Sequence, residues 1–210
     1  MVFGYRDGWC GGGNGHRQGG WSLLYPPSRR KMQRFVGPQG GRRGTVVRGL
    51  AQYRGVVEPL IGFLLDQGIG IYQMPCPEST CLGNMRWGYV KDQYDNPMFR
   101  KHCERLTEVV MDQIQDYQRC GYHVLGFVMV DGSPVCGLHY TPRPIGDTLW
   151  GGMVWYSPES HHVLESGVFS EILQQMLKER GIEIPFIAYP ELEEFGRLED
   201  TLATIKSWIS

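Results

Sequence analysis

Two cysteine-bearing segments concentrate the residues of this chain that could do chemistry. Met74-Pro75-Cys76-Pro77-Glu78 and Gly132-Ser133-Pro134-Val135-Cys136-Gly137 each set a thiol in backbone constrained by proline or glycine. A proline on each side of Cys76, with φ held near −65°, presents that thiol rigidly. Rigid presentation suits a metal ligand or a nucleophile, both of which act as the thiolate. In the second segment successive backbone N–H groups can form a nest for an anion, and a metal-bound thiolate carries the charge such a nest favours. Glu78 can accept or donate a proton, and Ser133 can hydrogen-bond a ligand. The plain alternative is that both cysteines are small residues buried in tight turns, free cysteine being among the most buried types.

Whether the two loops can meet depends on the elements that carry them. Val56, Val57, Leu60, Ile61, Leu64 and Leu65 recur at helical spacing, with Pro59 tolerable in a first turn and Gly68 as the stop. Ile69 to Met74 is a short apolar run of the kind a buried strand shows, and it ends at Pro75-Cys76-Pro77. A polar, aromatic loop is expected from Ser79 to Asp95. Asn96-Pro97 reads as an N-cap followed by proline at the first helical position, before a helix with Phe99, Cys103, Leu106, Val110, Ile114 and Tyr117 on one face. Val124 to Val130 is a second strand and Ile184 to Tyr189 a third. Between them lie a loop-rich stretch, with a strand expected around Met153–Tyr156, and a helix marked by Val168, Phe169, Ile172, Leu173, Met176 and Leu177. Leu192, Phe195, Leu198, Leu202, Ile205 and Trp208 mark a last helix.

Helices alternating with strands predict an α/β fold, a three-layer sandwich with a mainly parallel open sheet. Loops leaving the carboxyl ends of parallel strands meet at one edge, where such sheets bind ligands. Cys76 and Cys136 both stand just past a strand, so they are predicted neighbours although 60 residues separate them in sequence.

The overall charge of −1 gives no global attraction to nucleic acid or membrane, but it hides a division. Residues 1–49 hold nine basic residues against Asp7 alone, a net of +8, and 13 of the 29 glycines; residues 50–210 carry a net of −9. A segment so rich in glycine and arginine has little apolar surface to offset its ordering entropy. Two units follow: residues 1–46, a Gly/Arg-rich segment either disordered or read in the wrong frame or from a wrong start, and residues 47–210, a single α/β domain. No apolar run approaches the ~20 residues of a membrane helix, and the first residues lack the apolar core of a secretory signal. The expected location is therefore cytoplasmic, where the six cysteines stay reduced and serve metal binding or catalysis better than disulfides.

The stretch from about Arg48 to Gly137 resembles the thiouracil desulfurase family and its desulfidase-like relatives. Cys76-Pro77-Glu78 and Ser133-Pro134-Val135-Cys136-Gly137 carry the resemblance, and Arg86-Trp87-Gly88 through Tyr94-Asp95-Asn96-Pro97 looks like the relatives. In that family three cysteines hold a 4Fe-4S cluster and leave one iron open to the sulfur of a small thiolated substrate such as a thio-nucleobase. The resemblance implies an iron–sulfur-dependent desulfidase, with Cys76 and Cys136 as cluster ligands, Glu78 as the proton-handling group and Ser133 as the active-site serine. The family's first ligand follows a strand near the amino terminus, ahead of the segment that here reads Val47-Arg48-Gly49-Leu50-Ala51-Gln52-Tyr53. No cysteine stands there; Cys10, in Trp9-Cys10-Gly11-Gly12-Gly13, is the one upstream cysteine and the remaining candidate for the third ligand. An alternative frame encoding an apolar strand that ends in cysteine would establish a misread segment, and its absence from the nucleotide sequence upstream of Val47 would exclude one.

Competing readings use other residues. Cys76, Cys81, His102 and Cys103 could suggest zinc, but their spacing fits no tight structural pattern, and adjacent helical residues point about 100° apart. Cys103 falls on the apolar face of its helix, and Cys120 reads as a helix-end packing residue. Arg86, Trp87, Tyr89 and Tyr94 could stack on a planar base or pack on the domain. A cysteine nucleophile at Cys76 needs a positioned histidine, and His139 is the one candidate in the strand-end loops; His161 and His162 read as solvated. If residues 1–46 are a genuine tail, their arginines interleaved with Tyr5, Trp9, Trp21 and Tyr25 suit single-stranded nucleic acid, which makes an RNA-binding, non-enzymatic protein the second function class.

Overall fold

The computed structural model describes residues 57–83, 90–145 and 160–209, together with the backbone of residues 2–4. The strand expected around Met153–Tyr156, the ring-bearing run Arg86–Tyr89 and the basic segment apart from residues 2–4, with Cys10, lie outside the described residues.

The element order is β1 (Val2–Gly4), α1 (Glu58–Asp66), β2 (Gly70–Ile71), α2 (Pro77–Leu82), α3 (Lys91–Tyr94), α4 (Pro97–Arg119), β3 (His123–Asp131), β4 (Tyr140–Pro144), β5 (Ser160–Leu164), α5 (Val168–Glu179), β6 (Phe186–Pro190), a 3₁₀ turn (Glu193–Phe195) and α6 (Leu198–Ile209). This is a mixed α/β fold with two sheets. The larger has strand order β2-β1-β3-β6 and the smaller is the antiparallel pair β4-β5.

Within the larger sheet β3 and β6 are parallel, Phe127 opposite Phe186 through Asp131 opposite Pro190. β1 runs antiparallel to both its neighbours, Val2 pairing with Ile71 on one side and Gly126 on the other. It follows that β2, β3 and β6 share one direction, with a three-residue strand of opposite direction between the first two. The sheet is thus mixed where the sequence led us to expect a mainly parallel one. The reversed strand comes from the segment whose composition gave no strand signal.

The helices form for legible reasons. In α4 the Asn96 side chain accepts the Phe99 N–H at 3.0 Å and Pro97 fills the first turn, where its missing donor costs nothing. Phe99, Cys103, Val110, Met111 and Ile114 bury one face of that helix. Gly68 and Gly181 follow α1 and α5 with φ of 67° and 65°. The final helix begins six residues later than the apolar spacing suggested, because the chain turns at Glu193–Phe195 and again at Gly196 before it coils.

β3 divides its side chains between two cores. Val124, Phe127 and Met129 join the α4 and α5 side chains, Ile114, Phe169 and Leu173 among them. Leu125 and Val128 pack instead with Leu60 and Leu64 of α1 and Ile205 and Trp208 of α6. A fully buried side chain of this size contributes about 1.5–3 kcal/mol, so both faces help to fix where the strand ends lie.

Candidate functional site

The carboxyl end of β3 is Asp131, and the second cysteine loop is built around its carboxylate. Asp131 is 2 % exposed. Its Oδ1 accepts the backbone N–H groups of Leu138, His139 and Tyr140 at 3.1, 2.7 and 3.2 Å. Ser133 organises the near half of the loop: its Oγ accepts the N–H groups of Val135 (3.3 Å) and Cys136 (3.0 Å), and its carbonyl accepts that of Gly137. The N–H groups of Val135, Cys136 and Gly137, expected to form an anion nest, are instead taken up by Ser133, and the donors that hold the Asp131 carboxylate come from Leu138 to Tyr140, beyond the segment. Helix α5 locks it from outside, Phe169 N–H donating to the Val135 carbonyl at 2.9 Å and Gly167 N–H to that of Gly137 at 2.8 Å.

Cys136 is 2 % exposed and shares a core cluster with Met74 and Tyr94. The Ser133 side chain is buried too, and its hydroxyl proton has no acceptor among the described residues, which leaves it able to donate to a ligand.

The first cysteine loop comes off the extended chain that follows β2. Cys76 is half-buried and caps α2, its Sγ accepting the Ser79 N–H at 3.4 Å, with Pro77 at the first helical position. This helix replaces the start of the loop expected from Ser79 onward. Glu78 lies in its first turn, and the Tyr94 hydroxyl donates to Glu78 Oε2 at 3.3 Å. Tyr94 is 1 % exposed and belongs to the cluster that contains Cys136, so it links Glu78 of the first loop to the core beneath the second.

A charged network holds Tyr94 and its short helix in place. Lys91, 3 % exposed, pairs with Glu171 on α5 and with Glu165 at 3.3 Å. Arg100 bridges Asp95 (2.6 Å) and Glu171 (2.8 Å), and Arg143 on β4 bridges Asp92 (2.9 Å) and Glu165 (2.7 Å). Hydrogen bonding from Arg100 holds the Asp95 carboxyl below its ordinary value, and Arg143 does the same for Glu165. A carboxylate whose folded value is depressed contributes stability in full above its unfolded value and loses it as pH falls through the folded one. Both groups are solvent-accessible, so the effect is modest. The urea midpoint is expected to decline on acidification below about pH 4.5, and the Glu165→Gln variant to decline less. An identical slope for variant and parent would remove Glu165 from the account.

Among the described residues the other cysteines lie apart from this arrangement, Cys81 exposed on α2. Cys103 is fully buried on α4, and burial pushes its thiol up to about 12, so it stays protonated. His102, its neighbour, turns to Thr80 Oγ1 at 2.8 Å. Cys120 caps the end of α4 and is exposed rather than packed. Among the described residues no group of three His, Cys, Asp or Glu side chains is placed to hold a metal.

His139, a weak candidate on sequence, has a buried carboxylate partner in the structure. Asp131 Oδ2 faces its Nδ1 at 3.0 Å. The only available signal was an aspartate at a strand end eight residues before a histidine, a spacing that means nothing until the loop closes. His162 is exposed, as expected, and lies edge-on to Phe195 at 4.8 Å, which in turn stacks on Tyr140 at 5.0 Å.

Among curated proteins the chain is similar to an uncharacterized protein of Methanocaldococcus jannaschii, 31 % identical over 96 residues. The match takes in 46 % of this chain, which spans 61 % of that protein's length. No protein-family model matches the chain, and no solved structure matches it.

Proposed function

We propose that the two cysteine loops are ligand loops of a 4Fe-4S cluster and that the protein is a desulfidase acting on a small thiolated compound such as a thio-nucleobase. The observation that carries this reading is the common direction of β2 and β3, which sends Cys76 and Cys136 to the same edge of the sheet. The domain is then best read as three layers, α4 and α5 on one face and α1 and α6 on the other, with β2, β3 and β6 as the parallel set.

The donor set among the described residues is two thiols, one short of the three such a cluster takes, and Cys10 is left to supply the third. No step is therefore routed through the cluster. Bound there, its open iron would supply Lewis-acid chemistry to a C–S bond. The chain's own part is defined without it: Glu78, positioned by Tyr94, handles a proton, and Ser133 braces the Cys136 loop while its hydroxyl donates to substrate. Between β2 and β3 the place of a parallel strand is taken by Val2–Gly4 running the other way. This fits a first segment that does not belong to the frame of the rest.

Anaerobic reconstitution of the full chain with iron and sulfide tests the reading. The expected result is a broad absorption near ~400 nm that is lost in Cys76→Ser and in Cys136→Ser. Cys10→Ser tests the third ligand: loss of the band assigns it to Cys10, and retention assigns it to a group other than Cys10. No band in the parent chain, or a band indifferent to both Cys76 and Cys136, would falsify the cluster.

A further inference from the structure

Asp131 and His139 form a carboxylate–imidazole pair outside the roles given to the cysteine loops. The carboxylate is fixed by three backbone donors on Oδ1, so Oδ2 has one orientation, toward His139 Nδ1 at 3.0 Å. An ionised carboxylate only accepts, so Nδ1 carries the proton, and in the neutral imidazole Nε2 is then the nitrogen with the free lone pair. Nε2 has no partner among the described residues, and His139 is 54 % exposed on its side chain.

The two residues line a cavity of about 250 Å³ at the carboxyl ends of β3 and β6. Phe195 closes one side; it lies over Gly132, where a Cβ would come within 2.6 Å of the ring and where φ is +87°. Another wall is formed by Arg197 and the start of α6, with Asp200 and Thr204. The threonine hydroxyls of that wall, Thr201 and Thr204, are committed to the carbonyls of Ala188 and Asp200. The guanidinium of Arg197 makes one contact, at 3.4 Å to Asp200, and keeps its other donors. A proton acceptor and a planar cation, the side chain suited to oxyanions, thus line the same cavity, the cation paired on one side with Asp200 and otherwise open to solvent. The volume is below that of drug-sized pockets and suits a small metabolite.

We infer that this cavity is a second site, one that takes a small molecule carrying an oxyanion for Arg197 and a hydroxyl or thiol whose proton is accepted by His139 Nε2, with Asp131 as the positioning residue. The ligand's hydroxyl or thiol donates its hydrogen bond to Nε2 while Nδ1–H stays donated to Asp131. Nothing in this site uses iron, so it stands or falls apart from the cluster.

The full chain, ¹⁵N-labelled and without reconstituted metal, is titrated by NMR with 3-hydroxypropionate and with glycerol 3-phosphate, against acetate and inorganic phosphate as partners that lack the hydroxyl. The Nδ1–H tautomer is expected for His139 in the parent chain and its exchange for Nε2–H in Asp131→Asn. A hydroxylated probe is expected to shift the His139 and Arg197 side-chain resonances, with affinity weakened at least about tenfold in His139→Gln and in Arg197→Gln, both exposed side chains whose loss leaves the fold intact. Which of the two probes binds decides between a carboxylate and a phosphate ligand. Absence of any shift with both, or equal affinity for the hydroxyl-free partners, or indifference to both variants, overturns the site.

Discussion

Replacing Asp131 with alanine is expected to destabilise the domain by about 3–5 kcal/mol. The carboxylate is 2 % exposed and is the single acceptor for three consecutive backbone donors, Leu138, His139 and Tyr140. A buried donor left without an acceptor costs about 1–3 kcal/mol, and three are orphaned together, with partial relief where the loop rim reaches water. Asp131→Asn keeps an acceptor oxygen in the same place and is expected to cost markedly less, while still reversing the tautomer of His139. Urea unfolding of the two variants checks the pair. Equal losses would mean that the charge, not the acceptor, holds the loop, and a loss below about 1 kcal/mol for alanine would remove Asp131 from its central position.

Gly167→Ala is expected to cost about 2–3 kcal/mol although it adds one methyl group. A Cβ at this position would stand 2.5 Å from the Val135 carbonyl carbon, 2.6 Å from its oxygen and 3.0 Å from the Gly137 nitrogen. All three are backbone atoms, so no side chain can rotate away, and relief requires α5 to lift from the Cys136 loop. The bonds from Gly167, Phe169 and Ser170 to that loop are then strained together. Gly62 provides the control. It lies inside α1 with nothing within 4 Å of its Cβ position, so alanine there is expected to be neutral or stabilising by up to about 1 kcal/mol. Comparable losses at the two sites in thermal or urea unfolding would show that the close approach at Gly167 is not what fixes the loop.

The parts of the fold legible in the sequence were those whose cause is local. The Asn96 cap and Pro97, the 3.6-residue spacing from Phe99 to Ile114, and the glycines behind α1 and α5 all act within a few residues of themselves. β3 and β6 were visible because a strand buried on both faces is apolar throughout. What escaped the sequence depends on distant partners. The pair β4-β5 contains Pro142, Pro144, His161 and His162 and has no apolar alternation of its own; each strand is held by the other and by the ion pairs of Arg143. Helices α2 and α3 are too short for periodicity, and Lys91 is buried where its charge argued for solvent because Glu165 and Glu171 arrive from 74 and 80 residues away. The same limit governs the site. Cys76, Glu78, Ser133 and Cys136 could be singled out from local constraint, whereas the Asp131–His139 pair exists only once the loop has closed.

That closed loop has a kinetic and an entropic consequence. All six consecutive amide groups from Val135 to Tyr140 donate to acceptors inside residues 131–133, so a stretch without regular structure should resist hydrogen–deuterium exchange as strand amides do. If a ligand binds at this loop it meets a segment already ordered, and the ordering cost that loop-built sites usually exact on binding has been met during folding. Selectivity at such a site rests on shape: a molecule that does not fit gains nothing from waiting for the loop to adapt.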